Sequence, residues 1–197
     1  ILDLSKLEEG KLAVTNERVD LKDVFQFCID SISNLLTENK ISLQTEFSVS
    51  NYLVYSDERR LNQILLNLLS NAWKYSKEGD VISFFLREDN VDETHSRYTF
   101  IIQDTGCGMS SEFQKHLFEP YAQENGNKKE STGLGLAIVK KLVDQMQGEI
   151  KVQSQLNQGT TFQVQFILEY ELVEDNDFLQ DLRILFVDDM VVSVELI

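Results

Sequence analysis

The sequence predicts an α+β fold, a two-layer α/β sandwich with helices packed on one face of a mixed, mostly antiparallel sheet. Three observations predict it. Apolar residues recur at a 3.6-residue period in segments beginning near Leu21, Leu61 and Leu134. Between and after them lie pairs of segments rich in β-formers, in the order helix, hairpin, helix, two strands, helices, two strands, with no internal repeat. A chain of 197 residues, 42% hydrophobic and 26% charged, can build one complete core with partial neighbours on either side.

Each element follows from local signals. Ile1, Leu4 and Leu7 sit at helical spacing before Gly10, which reads as the tail of a longer helix. The stretch "KLAVTNERVDL" reads as extended, and Asp20 is the expected N-cap of a helix whose apolar positions Leu21, Val24, Phe25, Cys28, Ile29, Ile32, Leu35 and Leu36 follow a 3.6-residue period and which ends before Lys40. "ISLQTEF" and "YLVYS" flank the polar "SVSN" and are expected to pair as a hairpin. Asp57 should cap a second helix, "ERRLNQILLNLLSNAWKYS", closed by Gly79. Two strands, "VISFFLRE" and "RYTFIIQDTG", follow, and then a short helix over "SEFQKHLF". The polar run "AQENGNKKEST" leads to a helix over "GLGLAIVKKLVDQM", stopped at Gly148, and to strands "EIKVQSQ" and "TTFQVQFILEY". Residues 171–182 read as an acidic linker, and "LRILFVDD" opens a new strand.

Composition excludes several functions. A net charge of −15 and a pI near 4.5 oppose nucleic-acid binding, because phosphate contacts need a basic face. Two cysteines and two histidines are too few for a disulfide framework or a Cys/His zinc cluster. No run approaches the ~20 apolar residues of a spanning helix, and the N-terminus lacks a basic-then-apolar leader. The fragment is expected to be cytoplasmic, with membrane attachment of the parent protein left open.

Chemistry concentrates in three places. Asn67, Asn71 and Lys74 lie along one face of the second helix, although a solvated polar stripe accounts for that pattern equally well. "DTGCGM", residues 104–109, follows a strand with two closely spaced glycines; a plain β-turn or a ligand loop would both look like this. Gly133 and Gly135 open a helix whose free N–H groups suit an anion. Four of the nine glycines thus fall in two G-x-G turns after an Asn/Asn/Lys helix, and Lys128 and Lys129 lie in the polar stretch between the turns, placed to close over phosphates as a lid. The Walker phosphate loop and the dinucleotide fingerprint are both absent.

These residues resemble the ATP-binding catalytic domain of sensor histidine kinases, in the superfamily shared with gyrase, the heat-shock chaperone ATPase and the mismatch-repair ATPase. "NQILLNLLSNAWKYS" is similar to the asparagine box, "DTGCGM" to the first glycine box, "FQKHLFEPY" to the phenylalanine box and "TGLGLAIVKKLV" to the second glycine box, in the family's order. The resemblance covers about residues 20–170 and implies ATP and Mg²⁺ as cofactors. It implies that Asn71 coordinates Mg²⁺, that Asn67 holds the water shell of the metal, and that Lys74 meets phosphate. Tyr75 would line the pocket and Asp104 would accept the adenine amine. Gly106, Gly108 and Met109 would lie against base and sugar, while Gly133, Leu134, Gly135 and Leu136 would present N–H groups to the triphosphate. Phe118 would anchor the lid, and Thr160 or Thr161, with Thr161 the choice, would be the late polar residue near adenine. Tyr75 and Phe118 could equally be core aromatics, and strand propensity alone accounts for the threonines.

The resemblance also divides the chain: 1–12 as the end of a dimerisation and phosphoacceptor helix, 13–170 as the catalytic domain, 171–182 as linker, 183–197 as the start of a receiver with Asp188 and Asp189 as its acidic pair. The implied activity is transfer of the ATP γ-phosphoryl group to a histidine outside the fragment, in a hybrid kinase. Its partners would be its own dimerisation helices in a homodimer, the receiver and a downstream phosphorelay protein. The alternatives are a serine/threonine kinase or ATPase of the superfamily, or a degenerate interaction module. His95 and His116 lack the sequence context of a phosphoacceptor, and nothing basic adjoins Cys107. Because an acidic chain repels ATP, Lys74, Lys77, Lys128, Lys129, Lys140 and Lys141 are expected to concentrate positive potential near the site.

Overall fold

A computed structural model describes residues 14–123, 132–172, 183–187 and 190–195. Its order is β1 (Glu17–Asp20), α1 (Leu21–Glu38), β2 (Ser42–Ser48), β3 (Leu53–Ser56), α2 (Glu58–Tyr75), β4 (Val81–Asn90), β5 (His95–Asp104), α3 (Ser111–Gln114), α4 (Gly135–Gln145), β6 (Glu149–Gln155), β7 (Gly159–Glu169), β8 (Arg183–Val187) and β9 (Met190–Glu195).

Helices α1, α2 and α4 form one layer. Their buried faces repeat at helical spacing: Val24, Cys28 and Ile32 on α1, Leu61, Leu65, Leu68 and Ala72 on α2, Val139 and Val143 on α4. They meet the alternate residues of a five-stranded sheet ordered β2-β4-β5-β7-β6, among them Phe84, Leu86, Tyr98, Phe100, Val164 and Phe166. Phe25 stacks on Phe84 at 4.4 Å and meets Phe47 edge-on at 5.4 Å, which locks α1 to the sheet. Only the β2–β4 pair is parallel, so the sheet is mixed and mostly antiparallel, as the sequence predicts.

The expected hairpin of "ISLQTEF" with "YLVYS" does not form. β2 instead pairs in parallel with β4, across the intervening β3 and α2, while β3 pairs antiparallel with β1. The helix over "SEFQKHLF" is also shorter than expected. After Gln114 the chain continues in i→i+3 turns, such as His116 N–H to the Phe113 carbonyl at 3.0 Å, and reaches Pro120. β8 pairs antiparallel with β9. The expected helix over residues 1–12, Asp188 and Asp189, and most of the linker lie outside the described residues. Among the described residues no helix is long and apolar enough to cross a membrane.

Both predicted caps are present. Asp20 accepts from Lys22 N–H at 2.7 Å. Asp57 accepts from Arg60 N–H and, with its other oxygen, from Thr15 N–H, each at 3.0 Å. Burial pushes the Asp57 carboxyl up, but the N–H groups of Thr15 and Arg60 outweigh it and hold the group below its ordinary value. Such a depressed carboxyl stabilises the fold above its unfolded pKa and loses that contribution as pH falls through the folded one. Asp57→Ala should therefore cost about 2 kcal/mol in urea denaturation at pH 7, with the loss shrinking in acid; a loss independent of pH would contradict this role.

Candidate functional site

A cavity of about 170 Å³ opens between α2, the turn after β5, the start of α4 and the first residues of β7. Of the residues singled out in the sequence, Asn67, Asn71, Lys74 and Tyr75 reach it from α2, Asp104, Gly108 and Met109 from the glycine turn, and Gly133, Gly135 and Leu136 from the opening of α4. Three segments far apart in sequence therefore converge on one wall-to-wall site.

Four others do not line it. Gly106 sits beneath the turn and donates its N–H to Asp104 Oδ1 at 2.9 Å. Leu134 is buried at the N-cap of α4 and offers no side-chain hydrogen bond there, so the helix begins without a side-chain cap. Phe118 is half-buried and packs on the core. Thr161 gives way to Thr160: the register pairs Thr160 with Asp104, so Thr160 shares its face of the sheet and Thr161 points to the other.

Sequence reasoning missed much of the wall. Ser70, Ala72, Phe113, Leu117, Ala122, Gln123, Thr132 and Phe162 also line the cavity. Phe113 and Leu117 fall within "FQKHLFEPY", where only Phe118 was expected to act; Leu117, four residues after Phe113, is the buried one. Phe162 follows Thr160 by two residues and was findable once the strand's facing was known.

Asp104 dominates the electrostatics. It is 5% exposed, and burial, with the charge of Asp80 adding to it, pushes its pKa up to about 6 against the pull of the Gly106 and Thr160 N–H groups. At neutral pH the cavity floor thus holds an ionised, acceptor-only carboxylate. The turn is fixed on its other side by Cys107 N–H to the Tyr75 carbonyl at 3.2 Å, which ties it to the end of α2.

The amide of Asn67 donates to the Gln63 carbonyl at 2.7 Å, leaving Oδ1 turned to Gly135, where a Cβ would come within 3.1 Å of it. Among the described residues no cluster of three or more His, Cys, Asp or Glu could hold a metal. Asn67 and Asn71 on α2 offer neutral amide oxygens, which fit a hard ion that brings phosphate oxygens and water with it. Of the lysines expected to supply positive potential, Lys74 lines the cavity, whereas Lys140 is committed to Asp144 at 2.5 Å. Lys128 and Lys129 lie outside the described residues. His95 and His116 are partnered by Asp92 at 3.2 Å and Glu119 at 2.7 Å on the surface, and neither is among the residues that line the cavity.

The chain is 37% identical over 166 residues to the sensor protein GacS of Pseudomonas syringae pv. syringae, covering 82% of this chain and 18% of that protein. It is 38% identical over 169 residues to the autoinducer 2 sensor kinase/phosphatase LuxQ of Vibrio parahaemolyticus, covering 83% of this chain and 20% of that one. It thus spans about a fifth of these relatives. Full-length ShkA in complex with AMPPNP superposes with a TM-score of 0.72 at 27% identity, over 87% of this chain and 35% of that one. Residues 56–170, which hold every lining residue, match the family described as histidine kinase-, DNA gyrase B- and HSP90-like ATPases, and the chain belongs to that family.

Proposed function

We propose that the chain is the ATP-binding catalytic domain of a hybrid sensor histidine kinase, which transfers the γ-phosphoryl group of ATP to a histidine on a neighbouring helix. The observation that carries this reading is the convergence of Asn67, Asn71, Lys74, Asp104, Gly108 and Gly135 on one cavity. It gains support from the AMPPNP complex of the related ShkA and from the sensor-kinase relatives. Those relatives do not favour a serine/threonine kinase or a nucleotide-free module.

Adenine would occupy the inner end, where Asp104 and Thr160 accept from its amine. The triphosphate would run toward α4, whose first-turn N–H groups face it without a competing side-chain cap. Lys74 would neutralise phosphate charge, and Gly108 and Met109 would lie along the base and sugar. Asn71 would hold Mg²⁺ and Asn67 its water shell, and the metal when bound would neutralise phosphate charge. Catalysis of this kind is positioning and charge neutralisation, so the domain supplies ATP in a fixed pose and its partner supplies the nucleophile. That partner would be a dimerisation helix of the same protein, with a receiver and a downstream phosphorelay protein as later acceptors.

With both histidines of the chain on the surface and outside the cavity lining, the 197-residue chain should bind MgATP yet form no acid-labile phosphoenzyme with labelled ATP. Absence of MgATP binding by calorimetry, or phosphorylation of His95 or His116, would sink the reading.

A further inference from the structure

The glycine turn is held from behind by a polar cluster outside the four motifs' expected site residues. Ser154 lies on β6 with the same facing as Ile150 and Val152, which pack on the core. Its hydroxyl meets Met109 N–H at 2.8 Å, the Gly159 carbonyl at 3.0 Å and Thr160 Oγ1 at 2.9 Å. A hydroxyl has one hydrogen and two lone pairs. The Met109 N–H can only donate and the Gly159 carbonyl can only accept. Ser154 therefore spends its hydrogen on Gly159 and one lone pair on Met109, and the remaining lone pair accepts from Thr160. The Thr160 hydroxyl is thereby turned to donate away from the cavity it lines, and presents lone pairs to it beside Asp104. Gln114 closes the cluster by donating to the carbonyls of Met109 and Ser154, each at 3.1 Å.

We propose that Ser154 is a positioning residue for base recognition: by setting the direction of the Thr160 hydroxyl and holding the Met109 backbone, it keeps the inner end of the cavity acceptor-only and so selects a base with an exocyclic amine. The inference rests on ATP occupying this cavity. Ser154 does not line the cavity, so it acts through Thr160 and Met109. Without its hydroxyl the Thr160 hydrogen can swing inward, where it faces the amine donor to donor, and the Met109 N–H loses its acceptor.

The test compares affinities for MgATP and for the magnesium complex of purine riboside triphosphate, which lacks the 6-amino group. The unaltered chain should prefer ATP. Ser154→Ala should lose about five- to tenfold of that preference, and Ser154→Thr should restore it. Asn71→Ala, acting at the phosphates, should weaken both nucleotides by the same factor and leave the preference alone. Ser154→Ala with an unchanged preference overturns the positioning role, whatever its overall affinity. If Ser154→Ala does not fold, Thr160→Val removes the hydroxyl whose direction is at issue, and an unchanged preference there overturns the proposal equally. An unaltered chain that binds neither nucleotide overturns the ATP reading itself, a separate outcome.

Discussion

Asp104→Asn is expected to weaken MgATP binding by about 100-fold at neutral pH and to remove a pH dependence from folding stability. Both effects come from one buried carboxylate. In the folded chain burial lifts its pKa to about 6 from an ordinary 3.8. A carboxyl whose folded pKa is raised stabilises the fold fully below the unfolded pKa and loses that contribution as pH rises through the folded one. Between pH 4 and pH 7 the native chain should therefore lose up to about 3 kcal/mol relative to the asparagine variant, which cannot ionise. Urea denaturation of the two proteins across that range reads the difference directly; parallel curves would contradict the buried charge.

The binding loss follows from the same geometry. The backbone N–H groups of Gly106 and Thr160 both point at the Asp104 side chain. With one acceptor oxygen left, asparagine would give it to them and turn its own amide hydrogens into the cavity, against the amine of the base. The native carboxylate has acceptor capacity for all three. The chain thus carries a buried charge that these two N–H groups offset only in part and that a further donor would offset more fully, a local sacrifice of stability typical of binding sites.

The helical layer was legible because its signals are local. Asp20 and Asp57 announce their helices by one side chain each, and the apolar faces of α1, α2 and α4 repeat within a few residues. The sheet was legible only in part. "EIKVQSQ" matches β6, but nothing in β2 signals a parallel partner that begins at Val81, whereas "SVSN" advertises a turn. The site shows the same division. Asn67, Asn71 and Lys74 share a face by helical spacing alone, while the choice between Thr160 and Thr161 depends on the β5–β7 register, which no local pattern fixes. Ser154 and Gln114 were invisible for the same reason: each is an ordinary polar residue until the fold brings it behind the glycine turn.

Gly159→Ala should be among the most damaging small substitutions in the domain, and Gly79→Ala is its control. Both glycines have positive φ, +97° and +88°, so an added methyl strains either backbone by about 1 kcal/mol. Their surroundings differ. At Gly79 a Cβ would meet nothing within 4 Å, so strain is the whole effect. At Gly159 it would stand 1.9 Å from the Asp104 carbonyl oxygen and 2.8 Å from Thr105 Cα, both backbone atoms. No rotamer change relieves that overlap; either β7 or the turn after β5 must move. Asp104 pairs with Thr160 across the ladder, and the Gly159 carbonyl accepts from Ser154, so the displacement spreads into the cavity floor. The expected loss is about 3–5 kcal/mol, a large share of a domain's typical 5–15 kcal/mol. Gly159→Ala should also weaken MgATP binding where it still folds, because the atom displaced belongs to Asp104, whereas Gly79→Ala should leave binding unchanged. Equal stability losses in the two variants by urea denaturation would show that φ strain alone acts at both positions, and that the β6–β7 turn does not brace the glycine turn.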